Sequence, residues 1–430
     1  MSPSPRDIGL AIANGEIDLI PGTSSPTRTG WMQHAEHLDD LISDVSRRIN
    51  PRHKQSVLLG MGGSASGAGM ILEAHGNSSV EILDTSHPDT VQRESFEGRN
   101  VIASSKSGGT IETICALAYA LDRGLEPRDL TVITDPGTQL SELGESLGAT
   151  VLFGDPHCGG RFSALSVFAI APALIAGIAP RNLEEFAITS DIFADAFARG
   201  FETVTSQTDA PIMTTSLRDD PLTNWAALWE EQLIAESTGK SGRGVVPLAG
   251  RLNEGENIQE THARVVGMCV ALGVDPFDQP DVELAKQRTF DVLAGGLVEA
   301  PEATEAAARQ LIHQSDAPLV LQVFGPLNIA EGLANRWRNL SSERIATAGI
   351  GPRYLHSTGQ MHKGGPEGFT YLQIFVEPQV APERISGRHF SFHDLIRAQS
   401  YGDYVALREA GRDVLRHTAP NSDSFFSLFD

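Results

Sequence analysis

In the sequence IASSKSGGTIETICALAYAL, residues 102–121, an apolar run passes through a polar, glycine-containing turn into an amphipathic pattern. This order predicts a strand, a turn and a helix. Glycines let the backbone approach a ligand closely. The first N–H groups of a helix, together with the hydroxyls of Ser105, Ser107 and Thr110, supply donors suited to an anion. We therefore interpret the turn as an anion-binding loop, although a plain helix cap would use similar residues.

A second turn of the same kind lies upstream, in LLGMGGSASGAGM, residues 58–70. Two such turns in one unit favour anion binding over capping alone. The alternative is a dinucleotide site, because Gly60, Gly62 and Ala65 fit the glycine pattern and Asp84 follows at the end of the next apolar run. That alternative leaves the SSKSGGT turn without a role.

Apolar runs alternate with helical patterns along most of the chain, which predicts an α/β fold with parallel, doubly wound sheets. The stretch 263–273, ARVVGMCVALG, fits a helix or a strand equally well. Residues 391–417 are predicted to be mostly helical and to begin with a capping box. We divide the chain into a helical segment, two sheet domains and a C-terminal segment, at residues 1–54, 55–190, 191–350 and 351–430.

Composition argues against several classes of partner. The chain has 430 residues and a net charge of −22, whereas nucleic acids and anionic membranes require clustered Lys and Arg. Three widely spaced cysteines indicate a reducing cytoplasm, and the first residues lack a signal-peptide pattern. The uncharged segment 162–180 contains serines and prolines, so we interpret it as a buried helix and not as a membrane span.

Five further residues are candidates for chemistry. Arg161 follows two glycines at a predicted helix start, where its charge opposes the helix dipole, so another group is expected to hold it there. Glu236 closes a predicted helix just before a glycine turn. Gln279 and Lys286 flank another helix start, and His356 lies in a polar, glycine-rich loop. Each of these residues alone is more often structural than catalytic.

Taken together, these segments resemble the glucose-6-phosphate isomerase family, which is built from two sugar-isomerase (SIS) domains. The resemblance covers most of residues 56–416 and rests on GMGGS, SSKSGGTIET, GGRFSALS, ESTGK, FDQPDVELAK and LHSTGQ. Of these, GGRFS and FDQxxVExxK are the most specific. The resemblance implies two SIS-type doubly wound domains with helical N-terminal and C-terminal extensions. It also implies aldose–ketose isomerisation of glucose 6-phosphate and fructose 6-phosphate through a cis-enediolate, without a cofactor.

The resemblance also implies a role for each matching residue. Glu236 would move the proton between C2 and C1, and Arg161 would steady the enediolate. Lys286 and His356 would open the sugar ring, with Glu112 orienting that histidine. The residues expected to bind the substrate are Gly62, Gly63, Ser64, Ser105, Lys106, Ser107, Thr110 and Gln279.

Two features depart from the usual pattern of the family. LHSTGQ follows FDQPDVELAK instead of preceding it, as in the isomerase half of bacterial transaldolase–isomerase fusions. The residues after the first serine of GMGGSASGAG also differ, which leaves the substrate open. The alternatives are an isomerase of a related hexose with an anionic C6, such as a sulfonated sugar, and a non-catalytic sugar-phosphate-binding protein.

The resemblance further implies a cytoplasmic homodimer that acts in glycolysis and gluconeogenesis, with His356 of one subunit completing the site of the other. No metal site is expected. His389 and His393 have helical i, i+4 spacing but no evident third ligand.

Overall fold

The computed structural model describes residues 3–22, 28–183, 187–250, 257–295, 300–314, 317–341 and 344–430. The strands of this part of the chain are β1 (Ser56–Gly60), β2 (Val80–Leu83), β3 (Asn100–Ser104), β4 (Leu130–Thr134), β5 (Thr150–Phe153), β6 (Met213–Ser216), β7 (Val245–Leu248), β8 (Leu319–Phe324), β9 (Ala346–Gly351), β10 (Thr370–Val376) and β11 (Asp413–Ala419).

The helices begin with a group that precedes and surrounds the first five strands: α1 (Pro5–Ala13), α2 (Leu38–Arg48), α3 (Gly63–Ala74), α4 (Pro88–Val91), α5 (Ile111–Asp122), α6 (Gln139–Leu147) and α7 (Val167–Ile175). The later helices are α8 (Ser190–Thr205), α9 (Trp225–Thr238), α10 (Ile258–Leu272), α11 (Val282–Leu293), α12 (Glu305–Gln314), α13 (Ala330–Ser341), α14 (Gly359–Gly364), α15 (Phe392–Glu409) and α16 (Ser422–Ser427).

The first sheet is parallel, with the strand order β2-β1-β3-β4-β5. Leu58 of β1 pairs with Ile102 of β3, and both side chains enter the hydrophobic core on one face of the sheet. Val57, Leu59 and Val101 enter a separate core on the opposite face. Alternate side chains are therefore buried on both faces, as expected for a sheet with helices on each side.

The second sheet is also parallel, with the order β11-β10-β8-β9. Leu321 and Val323 pack into one core, while Val320 packs into another. These two sheets confirm the predicted doubly wound α/β fold class. The second sheet takes strands from both sides of the predicted boundary between residues 350 and 351, and the domain boundaries themselves stay predictions.

The helices α7, α9 and α10 share one hydrophobic core with the first sheet. They connect the chain between the two sheets to the first sheet. The stretch 263–273, which sequence alone left ambiguous, belongs almost entirely to α10. Trp31, Phe162 and Trp229 contribute to one continuous core that also contains residues of α7, α9 and α10. Strands β6 and β7 form a short parallel pair on either side of α9 in the chain.

The uncharged segment 162–180 is buried over most of its length, as the sequence predicted, but it is not one helix. A 3-10 helix, Gly160–Leu165, comes first, and Ser166 then caps α7 by accepting a hydrogen bond from the N–H of Phe168. The serines that lower the hydropathy of this segment therefore also divide it. None of the helices in the described ranges combines the length and the hydropathy that a membrane span requires.

The C-terminal region confirms the predicted capping box and ends in a strand and a short helix. Ser391 accepts from the N–H of Asp394, whose carboxylate accepts from the N–H of Ser391. The helix α15 stops at Glu409, and Gly411 then adopts a φ of 75°. A positive φ suits glycine and cannot continue a right-handed helix, so the residues that follow form β11 beside β10.

The helices α8 and α10 pack backbone against backbone, and this approach depends on glycine. A Cβ added to Gly200 would lie 1.8 Å from the carbonyl oxygen of Arg264, and one added to Gly267 would lie 2.1 Å from that of Phe197. These contacts are far below any real Cβ distance. A side chain at either position therefore has to push the two helices apart.

We expect Gly200→Ala to lower the free energy of unfolding by about 1–3 kcal/mol, the range for overpacking, although alanine gains about 1 kcal/mol in helix propensity over glycine. Denaturant unfolding followed by circular dichroism measures this. Glu202→Ala, on the outer face of the same helix, is the matched control and should stay within about 0.5 kcal/mol of the wild type. A Gly200→Ala variant as stable as the wild type would show that the two helices separate without cost.

Candidate active site

A cavity of about 510 Å³ opens at the carboxyl ends of β1 and β3, the edge at which parallel sheets of this kind bind ligands. All the sequence-predicted site residues except one line this cavity, namely Gly62, Gly63, Ser64, Lys106, Ser107, Thr110, Glu112, Arg161, Glu236, Gln279, Lys286 and His356. The exception is Ser105, which is buried behind the wall.

The glycines of the β1–α3 turn are required by the chain's own packing. Gly62 has a φ of 52°, and a Cβ there would lie 2.7 Å from the carbonyl oxygen of His356. A Cβ on Gly63 would lie 2.1 Å from the carbonyl oxygen of Gly160. Asp84, the acidic residue of the dinucleotide alternative, is buried and accepts two hydrogen bonds from Arg353, at 2.6 and 2.8 Å. Packing within the chain therefore explains the glycines of the β1–α3 turn, and the contact with Arg353 explains Asp84, without a dinucleotide.

The β3–α5 turn joins the first turn to form a single hydroxyl-rich wall. The backbone N–H of Lys106 donates to Oγ of Ser64 at 3.2 Å, which ties the two turns together. Oγ of Ser105 lies 2.8 Å from Oγ1 of Thr110, so the buried serine holds the threonine in place. Thr110 precedes α5, but its hydroxyl makes no capping bond to the helix. Together with exposed Ser107, these groups can donate to an anion at the N-terminus of α5.

The Lys106 side chain is held by an acidic partner beside the turn. Its Nζ lies 2.8 Å from both Oδ1 and Oδ2 of Asp135 and 2.6 Å from the carbonyl oxygen of Asp155. Asp135 also lines the cavity. Lys106 therefore adds a partly neutralised charge to a wall that otherwise presents hydroxyl and backbone N–H donors.

Arg161 is buried and fixed by acceptors from two other parts of the chain. Its Nε donates to Oγ of Ser237 at 3.0 Å, and its Nη1 donates to Oε1 of Gln279 at 3.0 Å and to Oε2 of Glu236 at 3.3 Å. Its Nη2 donates to the carbonyl oxygens of Pro276 and Asp278, at 2.6 and 2.9 Å. The sequence predicted that another group holds Arg161 against the helix dipole, and these acceptors do so.

Glu236 lies near the end of α9, buried between Arg161 and Gln232. Nε2 of Gln232, one helical turn earlier, donates to Oε2 of Glu236 at 3.3 Å. Burial raises the pKa of Glu236 above its ordinary value, and the charge of Arg161 and the bond from Gln232 only partly offset this. A carboxyl group with a raised pKa, held beside a fixed arginine, is suited to take and return a proton.

Glu112 and His356 form a second titratable pair across the cavity. Nε2 of His356 lies 2.9 Å from Oε1 of Glu112, which is buried in the first turn of α5. Burial alone raises the pKa of Glu112, but the charge of His356 and the hydrogen bonds to the carboxylate outweigh it and hold this pKa below its ordinary value. Glu112 is therefore a carboxylate that can fix one ring nitrogen of His356.

Both members of this pair come from one chain, which contradicts the expectation that a partner subunit supplies the histidine. The loop that carries His356 is polar and rich in glycine. In the structure it forms a 3-10 helix, Arg353–His356, followed by α14, and these compact turns return His356 to Gly62 and Glu112. The expected sharing of His356 is wrong for this structure, whereas a homodimer as such stays a prediction.

Lys286 lies at the mouth of the cavity on α11. Its side chain is half exposed, and its Nζ lies 2.7 Å from Oε1 of Glu283 on the same helix. It therefore lines the site without a buried partner, unlike Arg161. Gln279, just before α11, is committed to Arg161 through its carbonyl oxygen.

Sequence patterns missed several polar residues of the cavity wall, among them Gln232, Lys363 and Gln399. Gln232 had a usable signal, since it precedes Glu236 by four positions on a predicted helix. Nothing in the sequence connects Lys363 or Gln399 to the site. Nζ of Lys363 is buried and bonded to Oδ1 of Asp403 at 2.5 Å, and Gln399 donates to Glu112 at 2.6 Å.

His389 and His393, which have helical i, i+4 spacing, contact different backbone carbonyl groups. Nε2 of His393 lies 2.9 Å from the carbonyl oxygen of Val380, and Nε2 of His389 lies 3.4 Å from that of Leu293. In the part of the chain that the structure describes, no group of three or more His, Cys, Asp or Glu side chains is arranged to hold a metal ion.

No family model matches the chain, but curated relatives do. This chain is 26% identical over 256 residues to a glucose-6-phosphate isomerase of Parabacteroides distasonis. The match covers 51% of this chain and 57% of that protein. The chain is 35% identical over 164 residues to one of Thermus thermophilus, covering 34% and 39%. The chain therefore spans roughly half the length of these relatives.

Similar solved structures include a hypothetical protein of Thermus thermophilus, with 20% identity, a TM-score of 0.35 and coverage of 98% of this chain and 85% of that one. Another is a glucose-6-phosphate isomerase of Chlamydia trachomatis, with 14% identity, a TM-score of 0.32 and coverage of 92% and 66%.

A longer sequence match is to a probable glucose-6-phosphate isomerase of Natronomonas pharaonis. It has 30% identity over 330 residues, which is 68% of this chain and 75% of that protein. Identity at this level over three quarters of a relative marks common descent. The chain belongs to the glucose-6-phosphate isomerase family.

Proposed function

We propose that this protein interconverts glucose 6-phosphate and fructose 6-phosphate through a cis-enediolate. The observation that carries the proposal is the placement of Glu236, a buried carboxyl group with a raised pKa that is bonded to a fixed arginine. It faces the cavity that also contains the hydroxyl-rich turns. Aldose–ketose isomerisation needs these groups together: a base near both carbons, a cation for the enediolate and a cradle for the phosphate.

In this proposal the phosphate lies against the two turns between strand and helix. Hydroxyls of Ser64, Ser107 and Thr110 and the backbone N–H groups at the start of α5 donate to its oxygens, with Ser105 holding Thr110. Lys106 adds charge from the side, and Gly62 and Gly63 line the cavity while they let the β1–α3 turn pack against the backbone of His356 and Gly160. Hydrogen bonds to the charged phosphate fix the sugar with C1 and C2 towards Glu236.

Ring opening is assigned to His356 and Lys286. Opening the pyranose requires a proton to reach the ring oxygen while the C1 hydroxyl loses one. Glu112 holds Nε2 of His356, which leaves Nδ1 to serve the sugar. Lys286, half exposed at the mouth, can approach the open-chain sugar from the other side.

Glu236 then carries out the isomerisation. Its carboxylate takes the C2 proton, the electron pair forms the C1–C2 double bond, and the carbonyl oxygen at C1 gains negative charge. Arg161 stabilises that charge without rearrangement, because neutral acceptors already fix its guanidinium. Glu236 returns the proton to C1, the hydroxyl proton passes from O2 to O1, and a C2 carbonyl results.

Family membership supports this reaction over a sensor that only binds sugar phosphates, since such a sensor needs the turns but not Glu236 or His356. A hexose with another anionic group at C6 would fit the same chemistry.

A homodimer is proposed from the resemblance alone. A reducing cytoplasm is supported by three buried, unpaired cysteines.

We expect the purified protein to convert fructose 6-phosphate to glucose 6-phosphate in the presence of a metal chelator. Glu236→Gln should lower turnover at least about 100-fold, as for loss of a general base, while it still binds a non-reactive sugar phosphate. The amide keeps the shape of the side chain but cannot accept the C2 proton. A coupled assay and calorimetric titration measure the two effects.

Glu202→Ala serves as the control for this experiment, because Glu202 lies on α8 and outside the cavity wall. A wild-type protein that turns over only a sulfonated hexose would assign another substrate to the same site. A protein that binds sugar phosphate but turns over no hexose of either kind would be a sensor and would refute the proposal.

The single-chain site gives a further expected outcome. His356→Ala and Glu236→Gln, unfolded and refolded together, should show no more activity than the two variants measured separately, because one chain supplies both groups. If a twofold dimer shared its sites, mixed dimers would instead restore about a quarter of the wild-type activity. Mass spectrometry of the mixture must confirm that any dimers have exchanged chains.

A further inference from the structure

A continuous line of hydrogen bonds runs from the core to the candidate ring-opening histidine. Oγ of Ser86 donates to Oε1 of Gln399 at 2.5 Å, and Nε2 of Gln399 donates to Oε1 of Glu112 at 2.6 Å. The same carboxylate oxygen lies 2.9 Å from Nε2 of His356. Ser86, Gln399 and Glu112 are all buried, so water does not compete for these bonds.

The direction of this line is set at the Glu112 end. An ionised carboxylate only accepts hydrogen bonds, so the amide nitrogen of Gln399 must face Glu112. The amide oxygen then faces Ser86, whose hydroxyl can donate to it. Ser86 follows β2 and Gln399 lies on α15, so a residue from the C-terminal part of the chain fixes a carboxylate beside the first sheet.

We propose that Gln399 is a positioning residue for ring opening: it fixes the carboxylate of Glu112, which in turn fixes the imidazole of His356. This proposal rests on the proposed isomerase function and deepens it. Gln399 lines the cavity wall, but its amide is committed to Ser86 and Glu112. It acts on the substrate through His356.

Few titratable or charged groups face Glu112 and His356. His356 is the titratable partner of Glu112, and Glu236 faces His356 from α9. On α5 itself, burial raises the pKa of the Cys115 thiol to about 12, so that thiol is neutral at working pH, and Arg388 lies beyond it. The charge of Glu112 therefore depends mainly on burial, on His356 and on the donors to its carboxylate, of which Gln399 is one.

The sign of the pH effect follows. The bond from Gln399 lowers the pKa of Glu112, so its removal raises that pKa. Glu112 then takes up a proton at a higher pH than in the wild type and stops accepting from His356. The acid limb of kcat/KM for a ring-forming substrate should move to higher pH.

The test compares Gln399→Met with the wild type on two substrates. Fructose 6-phosphate has to be opened, whereas 5-deoxyfructose 6-phosphate lacks the oxygen that closes the furanose ring. We expect kcat/KM for fructose 6-phosphate to fall by about 10- to 100-fold, as for a misplaced catalytic group, and the acid limb to move up. Activity on the open-chain analogue should fall much less, because Glu236 and Arg161 are untouched.

Two further variants separate positioning from general damage. Ser86→Ala leaves Gln399 in place but releases its amide, so it should move the acid limb in the same direction by a smaller amount. Gln373→Met makes the same chemical change in a buried glutamine of β10 that lies outside the cavity wall. It should leave the acid limb in place even if it lowers stability.

The outcomes are distinguishable. A wild-type protein inactive on both substrates refutes the proposed function. An active wild type whose Gln399→Met variant loses equal activity on both substrates, with an unmoved acid limb, refutes the positioning role. If Gln399→Met does not fold by circular dichroism, Ser86→Ala decides between the same two results.

Discussion

The buried contact between Arg161 and Glu236 joins the segment after β5 to α9 and holds the carboxyl group that we propose as the base. Taking two charged groups out of water is costly, and their attraction rarely repays that cost fully. Five acceptors offset the cost on the arginine side: Glu236, Ser237 and Gln279 side chains, and the carbonyl oxygens of Pro276 and Asp278. On the other side, Arg161 and Gln232 donate to Glu236, but burial still raises its pKa. The arrangement therefore keeps the arginine charged and fixed while it leaves the carboxyl group ready to exchange a proton.

This contact also explains how distant segments are brought to one cavity. Arg161 lies just after the first sheet, its acceptors belong to α9 and to the turn before α11, and the glycines of the β1–α3 turn accommodate the backbone of Gly160 and of His356. Removing one partner of a buried ion pair commonly costs about 3–5 kcal/mol, so variants of Arg161 should be compared at equal folded fraction. The catalytic geometry and the packing of these segments use the same residues.

Sequence patterns predicted the site residues whose position follows from neighbouring residues in the chain. The hydroxyls and glycines of the two turns follow strands in the chain, and their place at the carboxyl edge follows from parallel pairing. The position of Arg161 against a helix dipole correctly indicated an unseen partner. Of the residues that were missed, Lys363 and Gln399 reach the site only through tertiary contacts: Gln399 lies 287 positions from Glu112, and no local pattern links the two. The same reason accounts for His356, whose return to its own chain depends on turns that a glycine-rich loop does not reveal.

We propose that one carboxyl group, Glu236, moves the proton between C2 and C1. The most direct measurement follows glucose 6-phosphate labelled with deuterium at C2 during conversion in ordinary water, by NMR of the fructose 6-phosphate formed. We predict that part of the label reaches C1 on a single face and the rest exchanges with solvent, since a base holds the proton between the two steps. Both events should be lost in Glu236→Gln. Complete retention of the label at C1 without any exchange would indicate a hydride shift and contradict this role of Glu236.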